Sequence, residues 1–302
     1  MEKFTLYIDG NPIEATKGQT ILEAALANDY YIPHLCTHPD LPTLGGCNLC
    51  VVEIEGMEGP VRACESPARE GIRVTSKSES LSHRRSVAME LMLAGHPHDC
   101  TSCKAYLKCE LQAMMQYLGT VHSRLRTVHR QNTKINTNNP LIVREMERCI
   151  QCGRCVRASR EMRGVDALSF NNLNDETYIS TPGDLPLADA GCRFCGACVE
   201  VCPTGALQDE EGVFRTDVPR EQALIPCQVE CAAHIDIPAY LRYIKEGKYS
   251  EAVGVIREKV PFPHALGYVC NNLCETGCKR SKLNEPIAIR DMKRFAVEHD
   301  KE

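Results

Sequence analysis

Nineteen cysteines, arranged in five groups along 302 residues, constrain the fold of this chain more than any other feature of its sequence. A disulfide framework of this size would require export into an oxidising compartment and usually an even number of thiols. The chain begins Met1-Glu2-Lys3-Phe4 and continues into an alternating strand pattern, without the apolar region of a signal peptide. In a reducing compartment so many thiols are better explained as metal ligands, and the sequence predicts a cytoplasmic, metal-binding protein.

Charge and hydropathy argue against two other classes of protein. The 35 Lys and Arg residues against 40 Asp and Glu give a net charge of -5, which disfavours nucleic acid as the main partner. No apolar run approaches the roughly 18 to 20 residues that a membrane-spanning helix needs. The sequence therefore predicts no membrane span, and its length predicts more than one domain.

The N-terminal segment has the pattern of a small sheet with one helix. Apolar and polar residues alternate from Phe4 to Ile8 and again after an Asp-Gly hairpin signal. Thr20 and Glu23 form a capping box that predicts a short helix over residues 21 to about 27. A hairpin followed by a helix and a Cys-bearing loop is typical of a β-grasp module.

The first cysteine group has the spacing C-x10-C-x2-C-x13-C and consists of Cys36, Cys47, Cys50 and Cys64. Cys47 and Cys50 are predicted to point at one iron, and the distant pair closes the other side of a two-iron cluster. A zinc site of four cysteines is the alternative. The first gap is longer than the four residues of plant-type ferredoxins. The segment resembles the N-terminal 2Fe-2S module of the large iron-sulfur subunit of respiratory complex I, iron-only hydrogenases and formate dehydrogenases.

The second group follows a helical pattern that starts at Leu81 and stops at Gly95. It has the spacing H-x3-C-x2-C-x5-C and consists of His96, Cys100, Cys103 and Cys109. On chemistry alone these residues suit zinc as well as iron. The spacing, with Glu110-Leu111-Gln112 after it, resembles the His-ligated 4Fe-4S cluster of the same subunit family. The resemblance implies His96 as a ligand, and we interpret His98 as a bystander.

A basic stretch without acidic residues lies between Glu110 and Glu145. Its cations are predicted either to face negatively charged clusters or to dock an acidic partner such as a ferredoxin. A solvated connector that ends in a loop at residues 136–140 is the alternative. The basic residues and histidines of the stretch are His122, Arg124, Arg126, His129, Arg130, Lys134 and Arg144.

The third and fourth groups form the two halves of a bacterial two-cluster ferredoxin pattern. They are Cys149, Cys152 and Cys155, and then Cys192, Cys195, Cys198 and Cys202 with Pro203. In such folds the fourth Cys of each run binds the other cluster, so Cys202 is predicted to complete the first cluster. The reciprocal position holds Ser159. The second cluster is therefore predicted to be serine-ligated, open at one iron, or a 3Fe-4S cluster.

The fifth group consists of Cys227, Cys231, Cys270, Cys274 and Cys278 in a segment that is predicted to be helical after Pro226. With the runs Ile235-Asp236-Ile237-Pro238 and 285–290, residues 220–300 resemble the N-terminal helical iron-sulfur domain of the glutamate synthase small-subunit family. That family includes NADP-linked ferredoxin transhydrogenases and dihydropyrimidine dehydrogenase. No C-x2-C pair precedes Cys227, so the five thiols are predicted to hold one four-iron cluster, with four of them as ligands.

Together these patterns predict an α+β multidomain chain. We expect a β-grasp 2Fe-2S module at 1–79, a His-ligated 4Fe-4S segment with a basic linker at 80–139, a two-cluster ferredoxin fold at 140–218 and a C-terminal all-α iron-sulfur domain at 219–302. The expected cofactors are one 2Fe-2S cluster and three to four 4Fe-4S clusters, with the Ser159 cluster as the exception described above.

Function is predicted from these centres and from what the 302 residues lack. No Gly-rich dinucleotide loop and no evident acid-base constellation occurs in the sequence. We therefore expect an electron-transfer subunit without a substrate site of its own. Its resemblances imply an electron-bifurcating transhydrogenase in which NADH, NADPH and ferredoxin exchange electrons through flavoprotein subunits. A relay subunit of a formate dehydrogenase or hydrogenase complex is the first alternative, and a zinc-organised scaffold is the second.

Overall fold

The structure, a computed structural model, describes residues 3–127, 141–173, 176–209 and 225–301. The chain divides into two compact units. The first unit consists of Met1–Thr133, Glu147–Gly153 and Pro203–Gly205, and the second of Lys134–Met146, Arg154–Cys202 and Ala206–Glu302. His129, Arg130 and Lys134 of the basic stretch lie outside the described residues, as do the predicted domain boundaries at 139 and 218.

A five-stranded sheet forms the N-terminal part of the first unit. Its strands are β1 Lys3–Ile8, β2 Asn11–Thr16, β3 Val51–Ile54, β4 Val61–Arg62 and β5 Arg73–Thr75, in the order β2-β1-β5-β3-β4. The predicted hairpin is confirmed, because β1 and β2 are antiparallel with Ile8 opposite Asn11. Strand β5 runs parallel to β1.

The first helix, α1 (Ile21–Ala27), begins as predicted. The Thr20 hydroxyl accepts from the Glu23 amide, and the Glu23 carboxylate accepts from the Thr20 amide, so the capping box is complete. The helix packs on the sheet and closes a core with apolar residues of the strands. Burial of alternate strand residues, Leu6 and Ile8 among them, explains the period-2 pattern of the sequence.

Two further helices complete the described part of the first unit. Helix α2 (Glu79–Ala94) begins two residues before the predicted start, because the Ser78 hydroxyl accepts from the Leu81 amide and caps it. A one-turn 310 helix follows at Cys100–Ser102, and α3 spans Glu110–Leu118. Another 310 helix, Met146–Arg148, precedes the third cysteine group.

The ferredoxin-like part of the second unit has two small antiparallel sheets. Strand β6 (Ile142–Arg144) pairs with β9 (Leu207–Asp209), and β7 (Ser169–Leu173) pairs with β8 (Glu176–Ser180). Its helical elements are α4 Arg154–Arg157, a π-helix at Ala158–Met162, a 310 turn at Pro182–Asp184 and α5 Ala197–Glu200. A π-helical turn is rare and often marks a functional position, and this one contains Ser159.

The C-terminal part of the second unit is helical, as predicted. Its helices are α6 Pro226–Val229, α7 Ile237–Lys245, α8 Tyr249–Arg257, α9 Pro263–Val269, α10 Leu273–Thr276 and α11 Ile289–His299, with a 310 turn at Lys279–Lys282. Their apolar faces form one core around Tyr240, whose hydroxyl donates to the Ile289 carbonyl at 3.1 Å. In the part of the chain that the structure describes, no helix combines the length and apolarity needed to cross a membrane.

Candidate cluster-binding sites

The thiols of the first cysteine group lie in two hydrogen-bonded pairs. Cys36 pairs with Cys47, and Cys50 pairs with Cys64. All four residues are buried, at 0, 8, 1 and 1% exposure. This pairing differs from the expectation that Cys47 and Cys50 share one iron. Two pairs fit the two irons of a 2Fe-2S cluster, which takes four thiolate ligands.

Strand pairing explains why Cys50 lies beside Cys64 and not beside Cys47. Strand β3 begins directly after Cys50 and is antiparallel to β4, with Val51 opposite Arg62. The Ala63 amide donates to the Cys50 carbonyl at 2.9 Å, and this bond brings Cys50 beside Cys64. The spacing of the cysteines did not predict the pairing of β3 with β4, because β4 contains only two residues.

The loop before Cys47 is held close to Arg62. The Arg62 guanidinium donates to the Gly45 carbonyl at 2.9 Å and to the Glu65 carboxylate at 2.7 Å. Gly45 has φ +72°, and a Cβ at this position would lie 1.8 Å from Glu65 Oε1. Only glycine fits such a position without displacing the ion pair.

Arg85 of α2 binds the backbone on both sides of Cys50. Its guanidinium is 5% exposed and donates to the carbonyls of Leu49, Ser76 and Val51 at 3.0, 2.9 and 2.7 Å. Burial lowers the pKa of Arg85. In the sequence Arg85 is only one position of a helical pattern. No sequence signal indicates that this arginine is buried and binds backbone carbonyls.

Hydrogen bonding and burial shift the pKa of three thiols of the first group. Bonds to the neighbouring thiol and burial raise the pKa of Cys47 and of Cys50, whereas the bond from Cys50 lowers the pKa of Cys64. Thiolates bind metal, so a bound metal must displace these protons. Four buried, paired thiols with no carboxylate among them are a donor set that suits iron-sulfur chemistry.

In the second group, the tautomer of His96 favours metal binding through Nε2. His96 Nδ1 lies 2.8 Å from the Pro97 carbonyl, which can only accept, so Nδ1 carries the proton. The lone pair is then on Nε2, an atom without solvent exposure. Metal-binding histidines usually donate their second ring nitrogen in this way. His98 is exposed, with its ring centroid 6.1 Å from that of His122.

The three thiols of the second group lie close together against residues 203–205. Burial raises the pKa of Cys109, and the charges of Cys103 and Cys100 raise it further. The Cys109 thiol donates to the Pro203 carbonyl at 3.5 Å. A Cβ on Gly205 would lie 2.5 Å from Cys103 Sγ, so the backbone of Gly205 forms the wall of this site.

An ion pair lies beside the same site. Arg148 binds Asp99 in a bidentate manner, with both N–O distances at 2.8 Å. Asp99 precedes Cys100, and Arg148 precedes Cys149. Hydrogen bonds from Arg148 and Ser102 hold the pKa of Asp99 well below its usual range. The pair therefore fixes the loops of the second and third groups against each other within the first unit.

One apolar core of the first unit contains cysteines from three groups. Cys36 and Cys47 of the first group and Cys152 of the third are buried in it, and Cys109 of the second packs against it. Its other buried members are Leu35, Leu49, Met89, Leu93, Leu111 and Met114. These side chains come from α2, α3 and the cysteine loops. The two helices therefore place thiols of three cysteine groups around one apolar core.

The third and fourth groups share one local backbone conformation. Gln151 has φ +57° and donates its amide to Cys149 Sγ at 3.3 Å. Phe194 has φ +52° and donates to Cys192 Sγ at 3.4 Å. A glycine with positive φ follows two residues later in each run, Gly153 at +67° and Gly196 at +78°. Amide hydrogen bonds to sulfur are characteristic of cluster loops and influence their potential.

The division into units separates the members of the third group. Cys149 and Cys152 belong to the first unit, whereas Cys155 and Cys202 belong to the second. Cys149, Cys152 and Cys155 are all buried. The ligation of one cluster by these three residues and Cys202 stays a prediction.

Ser159 faces the same cavity as the fourth group. The cavity is lined by Ser159, Cys192, Cys195 and Cys198 together with apolar residues and Arg163. The Ser159 hydroxyl accepts from the Ala167 amide at 2.9 Å. Burial, together with the charge of Cys195, raises the pKa of Cys192 to about 12. The π-helix thus places Ser159 in the lining of the cavity that the three thiols share, and its role as a ligand stays a prediction.

The surroundings of the buried Arg144 test whether a cluster fits beside the fourth cysteine group. Arg144 is 4% exposed, and its Nε and Nη1 have no hydrogen-bond partner among the described residues. Burial lowers the pKa of Arg144, whereas the charges of Asp184, Cys198 and Cys192 raise it. Two buried guanidinium nitrogens without hydrogen bonds are costly, and the anionic thiolates of a cluster would offset this cost together with Asp184. The donor set and this cation both fit an iron-sulfur cluster.

Arg144 belongs to the basic stretch, whose described members differ in their surroundings. Arg144 is near thiols, as the first interpretation requires. Arg124 instead binds Glu90 at 2.8 Å, and Arg126 is exposed. The charge pattern alone could not separate these residues, because burial and not sequence position decides which cations meet thiols.

The structure brings the fifth group together in the C-terminal core. Burial, together with the charges of Cys231, Glu275, Cys227 and Cys270, raises the pKa of Cys274 to about 12. Cys278 interacts in the same way with Cys227. Among the described residues, no three His, Cys, Asp or Glu side chains converge on a single metal ion.

Family models match four consecutive segments of the chain. Residues 1–79 match a 2Fe-2S iron-sulfur cluster binding domain, and residues 85–124 match the NADH-ubiquinone oxidoreductase-G iron-sulfur binding region. Residues 139–208 match the ferredoxin-like domain of NADH-quinone oxidoreductase subunit 3. Residues 222–302 match dihydropyrimidine dehydrogenase domain II, 4Fe-4S cluster. The chain therefore contains 2Fe-2S and several 4Fe-4S binding domains.

About 70% of this chain is similar in sequence to curated proteins. NADPH-Fe(3+) oxidoreductase subunit alpha of Geobacter sulfurreducens is 41% identical over 211 residues, which are 70% of this chain and 24% of that protein. The mitochondrial NADH dehydrogenase [ubiquinone] iron-sulfur protein 1 of Solanum tuberosum is 31% identical over 210 residues, 70% of this chain and 28% of that protein. The chain thus spans about a quarter of the length of these relatives.

One solved structure is similar to this chain, and the match covers nearly the full length of the solved chain. One chain of an NAD+-reducing NiFe-hydrogenase in the H2-reduced state is 33% identical, with a TM-score of 0.64. The match covers 72% of this chain and 90% of that chain. These matches agree with the resemblances that the cysteine spacing predicted.

Proposed function

The chain belongs to the family of iron-sulfur subunits found in complex I-type oxidoreductases and NAD+-reducing hydrogenases, and from this premise we propose that it is an electron-relay subunit. An NAD(P)H-linked oxidoreductase complex is the proposed assembly. The observation that carries the proposal is the apolar core in which Cys36, Cys47, Cys109 and Cys152 meet. Iron-sulfur clusters, when bound, supply reversible one-electron chemistry.

We assign the ligands group by group, in a four-module organisation with the boundaries given above. The 2Fe-2S cluster is held by Cys36, Cys47, Cys50 and Cys64, and a 4Fe-4S cluster by His96, Cys100, Cys103 and Cys109. A second 4Fe-4S cluster is held by Cys149, Cys152, Cys155 and Cys202, and a third by Cys192, Cys195 and Cys198 with Ser159. The fourth takes its ligands from Cys227, Cys231, Cys270, Cys274 and Cys278.

The chain's own side chains exclude water and place charge around these thiols. Leucine and methionine surround the thiols in the apolar core of the first unit, and buried arginines face those of the second. Burial, hydrogen bonds to sulfur and local charge are the means by which a protein sets cluster potentials. Such differences between neighbouring sites suit a relay.

The proposed assembly is an electron-bifurcating transhydrogenase in which NADH- and NADPH-binding flavoprotein subunits and a ferredoxin exchange electrons. The combination of complex I-type modules with a domain like that of dihydropyrimidine dehydrogenase supports this choice. A hydrogenase complex is the second candidate, because NADP-reducing hydrogenase subunit HndD of Solidesulfovibrio fructosivorans is 32% identical over 220 residues. Affinity purification of the chain from its source distinguishes the two by the subunits that co-purify.

Metal analysis tests the relay proposal directly. One two-iron and four cubane-type clusters amount to about 18 iron atoms with matching sulfide, and fewer if the Ser159 cluster lacks one. Anaerobically purified protein should be brown and nearly free of zinc. About five zinc equivalents with little iron would contradict the proposal and favour a zinc-organised scaffold.

Nucleotide reduction tests the need for a partner. The 302-residue chain contains no dinucleotide loop, so NADH and NADPH should neither bind it nor bleach its clusters. Addition of the co-purifying flavoprotein should allow reduction by one of them. Tight nucleotide binding to the flavin-free chain would contradict this prediction.

Ser159→Cys tests the assignment at the fourth group. A thiolate would replace a hydroxyl that is less acidic and, as an alkoxide, harder. We expect conversion of a 3Fe-4S signal into a 4Fe-4S signal, or a shifted potential of this cluster alone, in electron paramagnetic resonance titrations. Superimposable titrations of wild type and variant would show that residue 159 is not a ligand position.

A further inference from the structure

Arg163 joins the two parts of the second unit through sulfur. It follows the π-helix, is 8% exposed, and its guanidinium donates hydrogen bonds to both Cys195 and Cys227. Cys195 belongs to the ferredoxin-like part, and Cys227 belongs to the C-terminal helices. One buried cation is thus shared by thiols that lie 32 positions apart in the sequence and belong to different predicted modules.

Two cavities meet at this arginine. The cavity of the fourth group contains Ser159, and the second cavity is lined by Cys227 and Cys278 with residues of the C-terminal helices. Arg163, Arg193 and Cys195 line both cavities. They form the wall between the thiols of the fourth group and the thiols of the fifth.

Further cations lie around the second cavity. Lys279 and Arg280 line it together with Arg163 and Arg193. The Lys279 Nζ lies 3.7 Å from the Glu200 carboxylate. Such a concentration of positive charge is stabilised by anionic groups, of which Glu200 is one and the thiolates of clusters are others.

Backbone contacts hold both sides of the arginine in place. Arg242 and Lys245 of α7 donate to the carbonyls of Glu161 and Val165 at 3.5 and 3.2 Å. Gly164 has φ +60°, and a Cβ there would lie 2.8 Å from Arg242 Cβ. The segment that carries Arg163 is therefore packed directly against a C-terminal helix.

We propose that Arg163 is a positioning residue shared by two cluster sites, which holds Cys195 and Cys227 on one guanidinium and sets the reduction potentials of both sites together. The inference rests on the proposed relay function. A cation that donates to cluster sulfur stabilises the more negative, reduced form and raises the potential. The planar guanidinium can donate to two sulfurs at once, whereas a lysine ammonium is a single point charge.

Redox titration of the complete, cluster-loaded chain tests the proposal. In Arg163→Gln the potentials of the fourth-group and fifth-group clusters should both fall, each by at least a tenfold change in the reduction equilibrium, about 59 mV for one electron. The 2Fe-2S potential should stay unchanged. Arg163→Lys should restore one of the two potentials toward wild type but not both. The measurement is electron paramagnetic resonance at controlled potential.

Arg160→Gln is the matched control. Arg160 lies in the same π-helix, is 57% exposed and pairs with Glu161, so its loss should shift no cluster potential. Arg193→Gln is the second variant, because Arg193 lines both cavities and should lower both potentials by a smaller amount. If Arg163→Gln does not assemble its clusters, the result for Arg193→Gln decides.

Unchanged potentials, or a shift at only one of the two sites, would overturn the role of Arg163. This outcome is distinguishable from failure of the relay proposal, because wild-type protein would then contain zinc instead of iron. With clusters present in wild type, only the shared role of the arginine is tested.

Discussion

In the first unit, thiols from three cysteine groups lie in one apolar core, whereas in the second unit the thiols of the fourth and fifth groups meet buried arginines. Leu35, Met89 and Met114 represent the first kind of environment. Arg144 and Arg163 represent the second. An apolar environment disfavours added negative charge and a cation favours it, so the same thiolate chemistry is tuned in opposite directions.

The two environments also depend differently on the clusters. The apolar core of the first unit is complete without a counter-charge, because its side chains are neutral. The second unit contains buried cations that need anions. The clusters are therefore expected to be cofactors in the first unit and structural elements as well in the second.

Removal of iron is expected to have the largest effect, and to have it in the second unit. Without a cluster, Arg144 keeps the attraction of Asp184 but loses the anionic thiolates that offset the rest of the cost of its burial. Hydrogen exchange should show that β6 and β9 lose much more protection than β1 and β2. In the iron-free chain, Arg144→Met should restore protection. Equal losses of protection in β6 and β9 and in β1 and β2 would contradict the expected difference between the two units.

Met89→Ala is expected to have the next largest effect, in the first unit. Met89 is 0% exposed in the core that holds the thiols, and its truncation should lower the free energy of unfolding by about 2 to 5 kcal/mol. Urea unfolding measures this change. Leu91→Ala is the control, because Leu91 is 62% exposed on the same helix and should change stability by less than about 0.5 kcal/mol.

Arg85→Met tests whether the first unit also depends on a buried cation. The variant loses three hydrogen bonds to backbone carbonyls, for which we expect a loss of about 2 kcal/mol. Loading of the 2Fe-2S cluster, measured by visible circular dichroism, should fall with it. The exposed neighbour Arg84→Met is the matched control. Full loading in Arg85→Met would show that strand pairing alone holds Cys50.

Asp99→Asn should have the smallest effect. Because the Asp99 side chain is 50% exposed, its pair with Arg148 is expected to contribute no more than about 1 kcal/mol. The pKa of Asp99 is lowered in the folded chain, so this contribution is complete above about pH 4 and declines as the pH falls toward the lowered pKa. Urea unfolding of both proteins between pH 7 and pH 3.5 should show this dependence. A difference that grows as the pH falls would contradict it.

Local signals in the sequence predicted local structure well. The hairpin and the α1 helix follow from alternation and a capping box, which involve residues within a few positions of each other. The helical C-terminal segment agrees with the resemblance to the glutamate synthase small-subunit family. The start of α2 was predicted two residues late, because the capping residue Ser78 lies outside the apolar pattern.

Contacts between distant residues could not be predicted. The pairing of Cys50 with Cys64 depends on a two-residue strand, and its register follows from the sheet, not from the spacing of the cysteines. The π-helix that brings Ser159 to its cavity likewise has no signature in the sequence.

The sequence by itself determined which residues are available as ligands and which modules they belong to, because thiol spacing within a loop is a local property. Only the tertiary structure decided which thiols are neighbours and what surrounds them. Arg85, Arg144 and Arg163 appear in the sequence as ordinary basic residues. Their burial, and with it their influence on nearby sulfur, arises from packing between elements far apart in the chain, where low polarity strengthens every charge interaction.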